Sequence, residues 1–284
     1  MDPGSLVHRL RAALGGAYTV TGELGRGGFA VVYLAEEGAT GRHLAVKVMR
    51  PELLKAPDLV ERFRREIAFA ERLQHPNILT VTFVGTRPDL LYYAMPRLRG
   101  QPLSVVLANG TVLPRAQVIR VLRDVGEGLA YAHEQGVIHR DVKPSNIVIE
   151  PDGHSVILDF GIAKALSKDG GTLSVSGELI GSPLYMSPEQ AADGRDVNEQ
   201  TDIYSWGVVG YEMLAGTPPF TGTSVQEILY QHYAQQPPSL VARRADLPGA
   251  LVAVLGRALA KDRHVRWRRM RDAVAALERV SLSG

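Results

Sequence analysis

The sequence predicts an α+β protein in two lobes, and three observations lead to that prediction. Up to about residue 96, strand-like runs rich in β-branched residues alternate with glycine turns. After Gly100 the apolar residues recur at helical spacing instead. The length of 284 residues also suits two modest lobes, because a single hydrophobic core rarely grows past about 250–300 residues. We therefore expect a small β-rich lobe over about 18–96 and a larger, mainly helical lobe over about 97–280, after an N-terminal extension of residues 1–17.

Five strand-like runs and one helix account for the predicted small lobe. The helix covers about 58–74, where Phe63, Ile67 and Ala70 recur at i, i+4 and i+7. Turn residues separate the strand-like runs from one another. These runs occupy residues 18–24, 30–35, 43–49, 79–84 and 90–95.

Helices dominate the predicted larger lobe. Val118, Leu122, Val125 and Leu129 line one face of an amphipathic helix. The pattern at about 202–215 is apolar nearly all round, which is typical of a buried helix. Further helical patterns occupy about 224–235, 249–260 and 268–280.

The composition excludes several classes of protein. The 32 Lys and Arg residues nearly balance 30 Asp and Glu residues, so the chain lacks the strong positive field that nucleic-acid binding favours. The absence of cysteine excludes disulfides, thiolate metal sites and cysteine nucleophiles. No run approaches the ~18 consecutive apolar residues of a membrane span. We therefore expect no nucleic-acid partner, no membrane contact by this chain and a cytoplasmic location.

A glycine-rich stretch at residues 25–30 is the first candidate site. Glycines allow a turn to bring backbone amides close to phosphate oxygens, although a glycine-rich hairpin is more often only a hairpin. The stretch is not a P-loop, because no Gly-Lys-Ser/Thr follows it. It does not suit a dinucleotide fold either, since a strand and not a helix comes after the glycines.

Lys47 and Glu66 are candidate partners near that stretch. Strand alternation places Ala45 and Lys47 on one face, opposite Val46 and Val48. Glu66 lies beside the buried stripe of the predicted helix over 58–74. A carboxylate turned inward requires a cation, because an unpaired buried charge is costly. Lys47 is the obvious candidate for that cation.

Three polar motifs in the larger lobe are more specific than the glycine-rich stretch. Residues 139–146 read His-Arg-Asp-Val-Lys-Pro-Ser-Asn, and they follow the amphipathic helix. Residues 159–161 read Asp-Phe-Gly and place a second carboxylate at the end of a short strand. Residues 186–189 read Met-Ser-Pro-Glu. Few structural roles require this combination of polar residues.

Together these motifs resemble the eukaryotic-type (Hanks-type) protein kinases, and most closely the bacterial serine/threonine protein kinases. The resemblance covers about 18–280, and its six motifs occur in the order of the family. It implies a bilobal protein-kinase fold, with one key helix in the small N-lobe. It also implies transfer of the γ-phosphate of ATP to Ser or Thr hydroxyls of proteins. One departure is Ala30, which stands where the family has its third glycine.

The resemblance assigns residues to ATP binding. It implies that the glycine-rich loop covers the phosphates, and that Lys47 holds them while pairing with Glu66. Met95 matches the gatekeeper position, and backbone groups of Leu98 match those that bind adenine. The ATP-binding residues implied in this way are Leu24, Gly25, Arg26, Gly27, Gly28, Phe29, Ala30, Val31, Val32, Ala45, Lys47, Met95, Leu98 and Val148.

The resemblance also assigns the catalytic groups. Asp141 matches the aspartate that positions the substrate hydroxyl and accepts its proton. Lys143 matches the lysine that steadies the γ-phosphate. Asn146 and Asp159 match the ligands of Mg²⁺, with Mn²⁺ as an alternative metal. These assignments make ATP and a divalent cation the expected cofactors.

The same resemblance assigns residues to regulation and to structural support of the active site. Residues 159–189 resemble an activation loop, and Arg140 before the catalytic aspartate implies control by phosphorylation of that loop. Ser174 and Ser176 are the leading autophosphorylation candidates, followed by Thr172; the alternative is a polar loop without modification. Ser182 matches a position that contacts Asp141 and Lys143. The resemblance further implies that Glu189 pairs with Arg266 and that Asp202 holds the catalytic-loop backbone.

The sequence leaves other interpretations open besides that of an active protein kinase. A pseudokinase that serves as a nucleotide-binding scaffold is the main alternative, although Lys47, Asp141, Asn146 and Asp159 are all present. A small-molecule kinase is disfavoured by the peptide-positioning block at 181–189. The resemblance also raises a homodimer through the N-lobe, and a place as the cytoplasmic part of a longer membrane-anchored receptor.

Overall fold

A computed structural model describes residues 5–159, 183–192 and 197–282, apart from the side chains of Arg62, Glu66, Phe69, Ser281 and Leu282. The chain divides into two compact units. One comprises Met1–Gln74 and Leu79–Leu98, and the other comprises His75–Ile78 and Arg99–Gly284. A sheet dominates the first unit and helices dominate the second, so the predicted α+β class is confirmed.

The first unit is built on a five-stranded antiparallel sheet in the order β1-β2-β3-β5-β4. The strands are β1 (Tyr18–Arg26), β2 (Ala30–Glu37), β3 (His43–Met49), β4 (Phe83–Arg87) and β5 (Leu90–Pro96). The strand predicted at 79–84 instead begins at Phe83, which pairs with Ala94. Because β5 ends two residues later at Pro96, little strand remains to pair with residues 79–82.

Two helices cover opposite faces of this sheet. Helix α2 (Pro57–Arg72) buries Phe63 and Ile67 on one face, in agreement with the predicted helical stripe. Helix α1 (Leu6–Leu14) buries Leu10 on the other face, among the inward side chains of β2, β3 and β5. The residues expected as an N-terminal extension therefore contribute to the core of the first unit.

The second unit combines a small sheet with eight helices in the part of the chain that the structure describes. The strands are β6 (Gln101–Pro102), β7 (Ile147–Ile149) and β8 (Ser155–Ile157). The helices are α3 (Leu103–Val106), α4 (Arg115–Glu134), α5 (Pro188–Ala192), α6 (Glu199–Ala215), α7 (Val225–Ala234), α8 (Leu240–Arg243), α9 (Gly249–Ala258) and α10 (Met270–Leu282). The five helices predicted in this lobe are confirmed.

Helix α6 lies at the centre of the second unit. Most of its side chains are buried, as its apolar composition predicts. Asn198 caps its N-terminus by accepting from the backbone N–H of Gln200, and Gly216 ends it with a φ of 76°. Inside the core, the Trp206 indole donates to the carbonyl of Leu122 on α4 over 2.8 Å. This hydrogen bond joins α6 to α4 inside the core.

Within the described ranges, the structure contains no helix that is both long enough and apolar enough to cross a membrane.

Candidate active site

The glycine-rich stretch forms the tight connection between β1 and β2. The backbone N–H of Gly27 donates to the carbonyl of Ala30 over 2.9 Å and closes the turn. The carbonyl of Phe29 accepts from the backbone N–H of Arg50 over 3.0 Å, which ties the turn to the end of β3. A side-chain carbon built at Gly28 would meet no atom within 4 Å. The backbone of this turn is therefore accessible to a ligand.

One face of the sheet carries the predicted nucleotide-binding side chains of the first unit. Val32 pairs with Lys47, and Lys47 pairs with Tyr93 on the next strand. Directly opposed residues of an antiparallel pair share a face, so these three side chains lie together. Ala45 pairs with Met95 two residues along the same face. The predicted alternation along β3 is therefore confirmed, and the Lys47 ammonium lies 5.7 Å from the centre of the Tyr93 ring.

Five other predicted nucleotide-binding residues are arranged differently. Val31 points to the opposite face and is fully buried in the core beneath α1. Arg26 makes two hydrogen bonds to the Glu23 carboxylate, at 3.0 and 2.6 Å. Leu24 is 46% exposed, and Leu98 is half-buried just after the end of β5. In the second unit, Val148 is buried in β7.

Glu66 occupies the middle of α2, the helix that covers the Lys47 face of the sheet. Its side chain lies outside the described part of the structure, so the Lys47–Glu66 ion pair stays a prediction. The phosphorylation candidates Thr172, Ser174 and Ser176, together with Ser182, also lie outside the described residues.

In the second unit, Asp202 fixes the backbone of the catalytic loop. One of its carboxylate oxygens accepts the N–H of Arg140 over 2.7 Å. The other accepts the N–H of His139 and the Nε2–H of His133, both over 2.8 Å. Burial alone would raise the pKa of Asp202, but the hydrogen bond and charge of His133 outweigh it and lower the pKa. The buried group is therefore an ionised acceptor, and it holds the catalytic-loop backbone as the resemblance implied.

The His139 ring also holds the backbone of the catalytic loop in place. Its Nε2 lies 3.0 Å from the carbonyl of Leu158, which can only accept, so this nitrogen carries the proton. Nδ1 then accepts the backbone N–H of Asp141 over 3.2 Å. Arg140, between the two residues, has a φ of 65°, in the left-handed region that non-glycine residues rarely adopt. Hydrogen bonds on both sides hold this unfavourable conformation.

The Asp141 carboxylate is the centre of a polar cluster at the end of this loop. The Lys143 ammonium contacts its Oδ2 at 2.7 Å. The Asn146 amide nitrogen donates to the same oxygen over 3.2 Å and to the Asp141 carbonyl over 2.9 Å. The Leu158 N–H donates to the carbonyl of Asn146 over 2.8 Å, which links the loop to the residue before Asp159. Three predicted site residues thus lie in direct contact, and Asp159 is exposed next to this link.

A largely buried ion pair holds the first turn of α5. The Arg266 guanidinium binds the Glu189 carboxylate through two hydrogen bonds of 2.8 and 2.9 Å, which confirms the predicted pairing. Burial raises the pKa of Glu189, but the hydrogen bond from Arg266 overcomes this effect and lowers it. The neighbouring Gln190 donates its amide N–H to the carbonyl of Arg140 over 2.9 Å. Helix α5 and the catalytic loop are therefore joined.

Two of these supporting residues were missed at the level of sequence. His133 follows Leu129 by four residues and continues the buried stripe of α4, and a buried histidine needs a partner. Its place on this buried stripe was the sequence signal that His133 has a structural role. Gln190 gave none, because its contact with Arg140 joins residues 50 positions apart.

Comparison with known proteins identifies this arrangement. Residues 18–275 match the family described as protein kinase domain. The serine/threonine-protein kinase PknB of Mycolicibacterium smegmatis is 39% identical over 262 residues, or 90% of this chain and 42% of that protein. Serine/threonine-protein kinase PrkC of Bacillus subtilis is 34% identical, over 93% of this chain and 40% of that protein. The solved kinase domain of Mycobacterium tuberculosis PknI is 31% identical, with a TM-score of 0.70, over 93% of this chain and 96% of that domain.

The chain spans about two fifths of the length of the curated relatives it matches. The likeness to the PknI kinase domain confirms the predicted protein-kinase fold. The family match extends over most of the sequence, and the relatives are bacterial serine/threonine kinases. The chain therefore belongs to the protein kinase family, in its Hanks-type bacterial serine/threonine branch.

Proposed function

We propose that this protein is a serine/threonine kinase that transfers the γ-phosphate of ATP to Ser and Thr hydroxyls of other proteins. The contact of Asp141 with Lys143 and Asn146 carries the proposal. It places a carboxylate, a cation and an amide in one loop, and Asp202 fixes the backbone of that loop. Membership of the kinase family supports the same activity.

Asp141 is the proposed catalytic base. Its carboxylate would accept a hydrogen bond from the substrate hydroxyl, orient the oxygen towards the γ-phosphorus and take up the proton as the new O–P bond forms and the bond from that phosphorus to ADP, the leaving group, breaks. Because the transition state of phosphoryl transfer is loose, positioning contributes most of the rate. Lys143, 2.7 Å from Asp141, would then bind an oxygen of the transferred phosphoryl group and offset its negative charge.

Lys47 is the proposed phosphate ligand of the first unit. Its ammonium shares a face with Val32, Ala45 and Met95, which offer apolar surface for a base. We propose that Glu66 orients Lys47 through an ion pair. The accessible backbone of the glycine-rich turn would bind phosphate oxygens through its N–H groups. Ala30 in place of a glycine would reduce the conformational freedom of this turn.

Asn146 and Asp159 are suited to hold the divalent cation, which we propose to be Mg²⁺. An amide oxygen and a carboxylate are hard ligands, and Mg²⁺ is commonly held by few protein groups together with water and substrate phosphates. The Asn146 amide nitrogen is already used in bonds to Asp141, so its oxygen is the atom suited to the metal. When bound, the cation supplies positive charge that neutralises the phosphates.

A phosphate-transfer assay tests the proposal. Purified protein would be incubated with labelled ATP, Mg²⁺ and a generic protein substrate, alongside Asp141→Asn, Lys47→Met and the exposed control Lys55→Met. We expect transfer by the wild type and the control, and a loss of at least about 100-fold in the other two variants. Wild-type turnover by Asp141→Asn would contradict the assigned role. Nucleotide binding without transfer by the wild type would support the pseudokinase alternative.

We also propose autophosphorylation at Ser174 and Ser176, with Thr172 as a further site. A phosphate there would carry about two negative charges and could pair with Arg140, which lies next to Asp141. Mass spectrometry of the active protein is the direct test. Bare side chains at all three positions in fully active protein would remove this proposal.

The remaining proposals concern the extent, assembly and location of the protein. We propose a kinase domain over about 18–280, divided near residue 96, and a homodimer formed through the N-lobe. Sedimentation analysis tests the dimer. A cytoplasmic location, alone or as part of a membrane-anchored receptor, is tested by fractionation of cells that express the full-length protein.

A further inference from the structure

A chain of hydrogen bonds inside the second unit has no part in the proposed reaction. It starts at Lys261, whose ammonium donates to the carbonyl oxygens of Gln231 and His232 over 3.1 and 2.7 Å. The same ammonium donates to the Tyr204 hydroxyl oxygen over 3.2 Å. Tyr204 Oη lies 2.9 Å from Nδ1 of His232, whose Nε2 lies 3.1 Å from the carbonyl of Leu184. Both Tyr204 and His232 are fully buried.

The chemistry of these groups fixes the direction of the chain. The carbonyl of Leu184 can only accept, so Nε2 of His232 carries a hydrogen. Burial and the charge of Lys261 lower the pKa of His232 to about 4, so the ring is neutral near pH 7 and Nδ1 accepts. Tyr204 must therefore donate its hydroxyl hydrogen to Nδ1, and its oxygen is left to accept from Lys261. All three hydrogens of the ammonium are then used.

The Lys261 ammonium is surrounded by groups that suit a positive charge. Among the described residues, no carboxylate forms an ion pair with it. Two of its acceptors are carbonyls near the C-terminus of α7, where the helix dipole favours a positive charge. The centre of the Phe220 ring lies 4.1 Å from the ammonium. Burial and the charge of Arg266 lower the pKa of Lys261 to about 7. Glu189 holds Arg266, so this carboxylate does not offset Lys261.

This chain of hydrogen bonds ends at a segment that is bonded to the catalytic loop. Leu184 lies in the short 3₁₀ helix Pro183–Tyr185, and the Ser205 hydroxyl donates to the carbonyl of Tyr185 over 2.7 Å. A few residues on, Gln190 binds the carbonyl of Arg140, the residue before Asp141. Because this segment leads directly into Gln190, which is bonded to the residue next to Asp141, we expect a protein substrate that places a hydroxyl at Asp141 to pass close to it.

We propose that Lys261, Tyr204 and His232 act as a positioning relay that holds the backbone at Leu184 in the shape that binds the protein substrate. The inference rests on the kinase function proposed above. The three residues are positioning residues, because they act through the Leu184 carbonyl. We expect the relay to affect the KM for the protein substrate and to leave the KM for ATP unchanged.

Tyr204→Phe is the most conservative test, because it removes one hydroxyl and keeps the ring. The matched control is Tyr230→Phe, whose hydroxyl belongs to a 62% exposed residue of α7. With a peptide substrate, we expect Tyr204→Phe to raise the peptide KM by about 5- to 10-fold, with kcat and the ATP KM within about twofold of wild type. Lys261→Met should have a similar effect, and the double variant should be no worse than either single variant.

The pH dependence separates the relay from a merely structural role. As the pH rises through about 7, Lys261 loses a proton and one of its three donors. The peptide KM of the wild type should therefore increase between pH 6 and 8.5 relative to that of Lys261→Met.

An unchanged peptide KM in folded Tyr204→Phe, or an equal rise in the ATP KM, would overturn the relay. If Lys261→Met does not fold, Tyr204→Phe alone decides. A wild type that transfers no phosphate would overturn the proposed function itself, whereas an active wild type with unaffected variants would overturn only the relay.

Discussion

Asp202 on α6 accepts the backbone N–H of His139 over 2.8 Å, although 63 residues separate the two in sequence. A second oxygen of the same carboxylate binds the next N–H of the chain, at Arg140. Two successive amides directed at one fully buried carboxylate fix the loop just before Asp141. The position of the proposed base therefore depends on a charge in the helical core.

Replacing Asp202 by Asn should weaken both folding and catalysis. The amide keeps the shape of the side chain but presents an N–H₂ group to a site that requires two acceptor oxygens. Because a hydrogen bond to a charged group contributes about 1.5–3 kcal/mol, we expect a loss of about 3 kcal/mol in the free energy of unfolding. Urea denaturation measures this loss, and kcat of the folded fraction should fall at least about 10-fold. Unchanged stability and kcat would show that the carboxylate does not fix the loop.

The Glu189–Arg266 pair should be strongly coupled. Arg266→Met leaves the largely buried Glu189 without its counter-ion, and removal of one partner of a buried pair typically costs about 3–5 kcal/mol. Adding Glu189→Gln removes the unpaired charge, so the double variant should be more stable than Arg266→Met alone. A double-mutant cycle in urea measures the coupling. Additive effects would contradict a direct interaction.

The parts of the fold that sequence predicts well are those with a local cause. The spacing of apolar residues marked α2, a nearly continuous apolar composition marked α6, and strand alternation placed Lys47 and Ala45 on one face. Helix α1 also had a local signal, since Leu6, Leu10 and Leu14 recur every four residues. The prediction of an N-terminal extension over residues 1–17 does not take account of this signal.

The parts that sequence could not predict depend on long-range contacts. Nothing in the sequence around His232 indicates that its partner is the carbonyl of Leu184, 48 residues away. Likewise, the buried stripe of α4 predicts that His133 needs a partner but does not identify Asp202. Such pairings depend on how helices pack, and one sequence contains no direct record of that packing.

Helix α1 should contribute measurably to the stability of the first unit. Leu10 is fully buried against the sheet, and truncation of a buried leucine to alanine typically costs about 2–5 kcal/mol. We therefore expect Leu10→Ala to lower the free energy of unfolding by this amount in urea denaturation. The control is His8→Ala, which changes an exposed side chain of the same helix. Equal stability of the two variants would mean that α1 is only loosely attached.

His232 should make the protein sensitive to mild acid. Burial, followed by the charge of Lys261, lowers the pKa of His232 from 6.5 to about 4 in the folded state. Between these values the unfolded chain binds a proton that the folded chain does not, so the free energy of unfolding falls as the pH falls from 6.5 to 4. The loss from this group should approach about 3 kcal/mol at pH 4.

Urea denaturation of the wild type and His232→Gln at a series of pH values measures this loss, with His264→Gln, which changes an exposed side chain, as the control. We expect the control to follow the wild type and His232→Gln to lose less stability in acid. Parallel profiles for all three proteins would show that His232 is not held neutral by the fold.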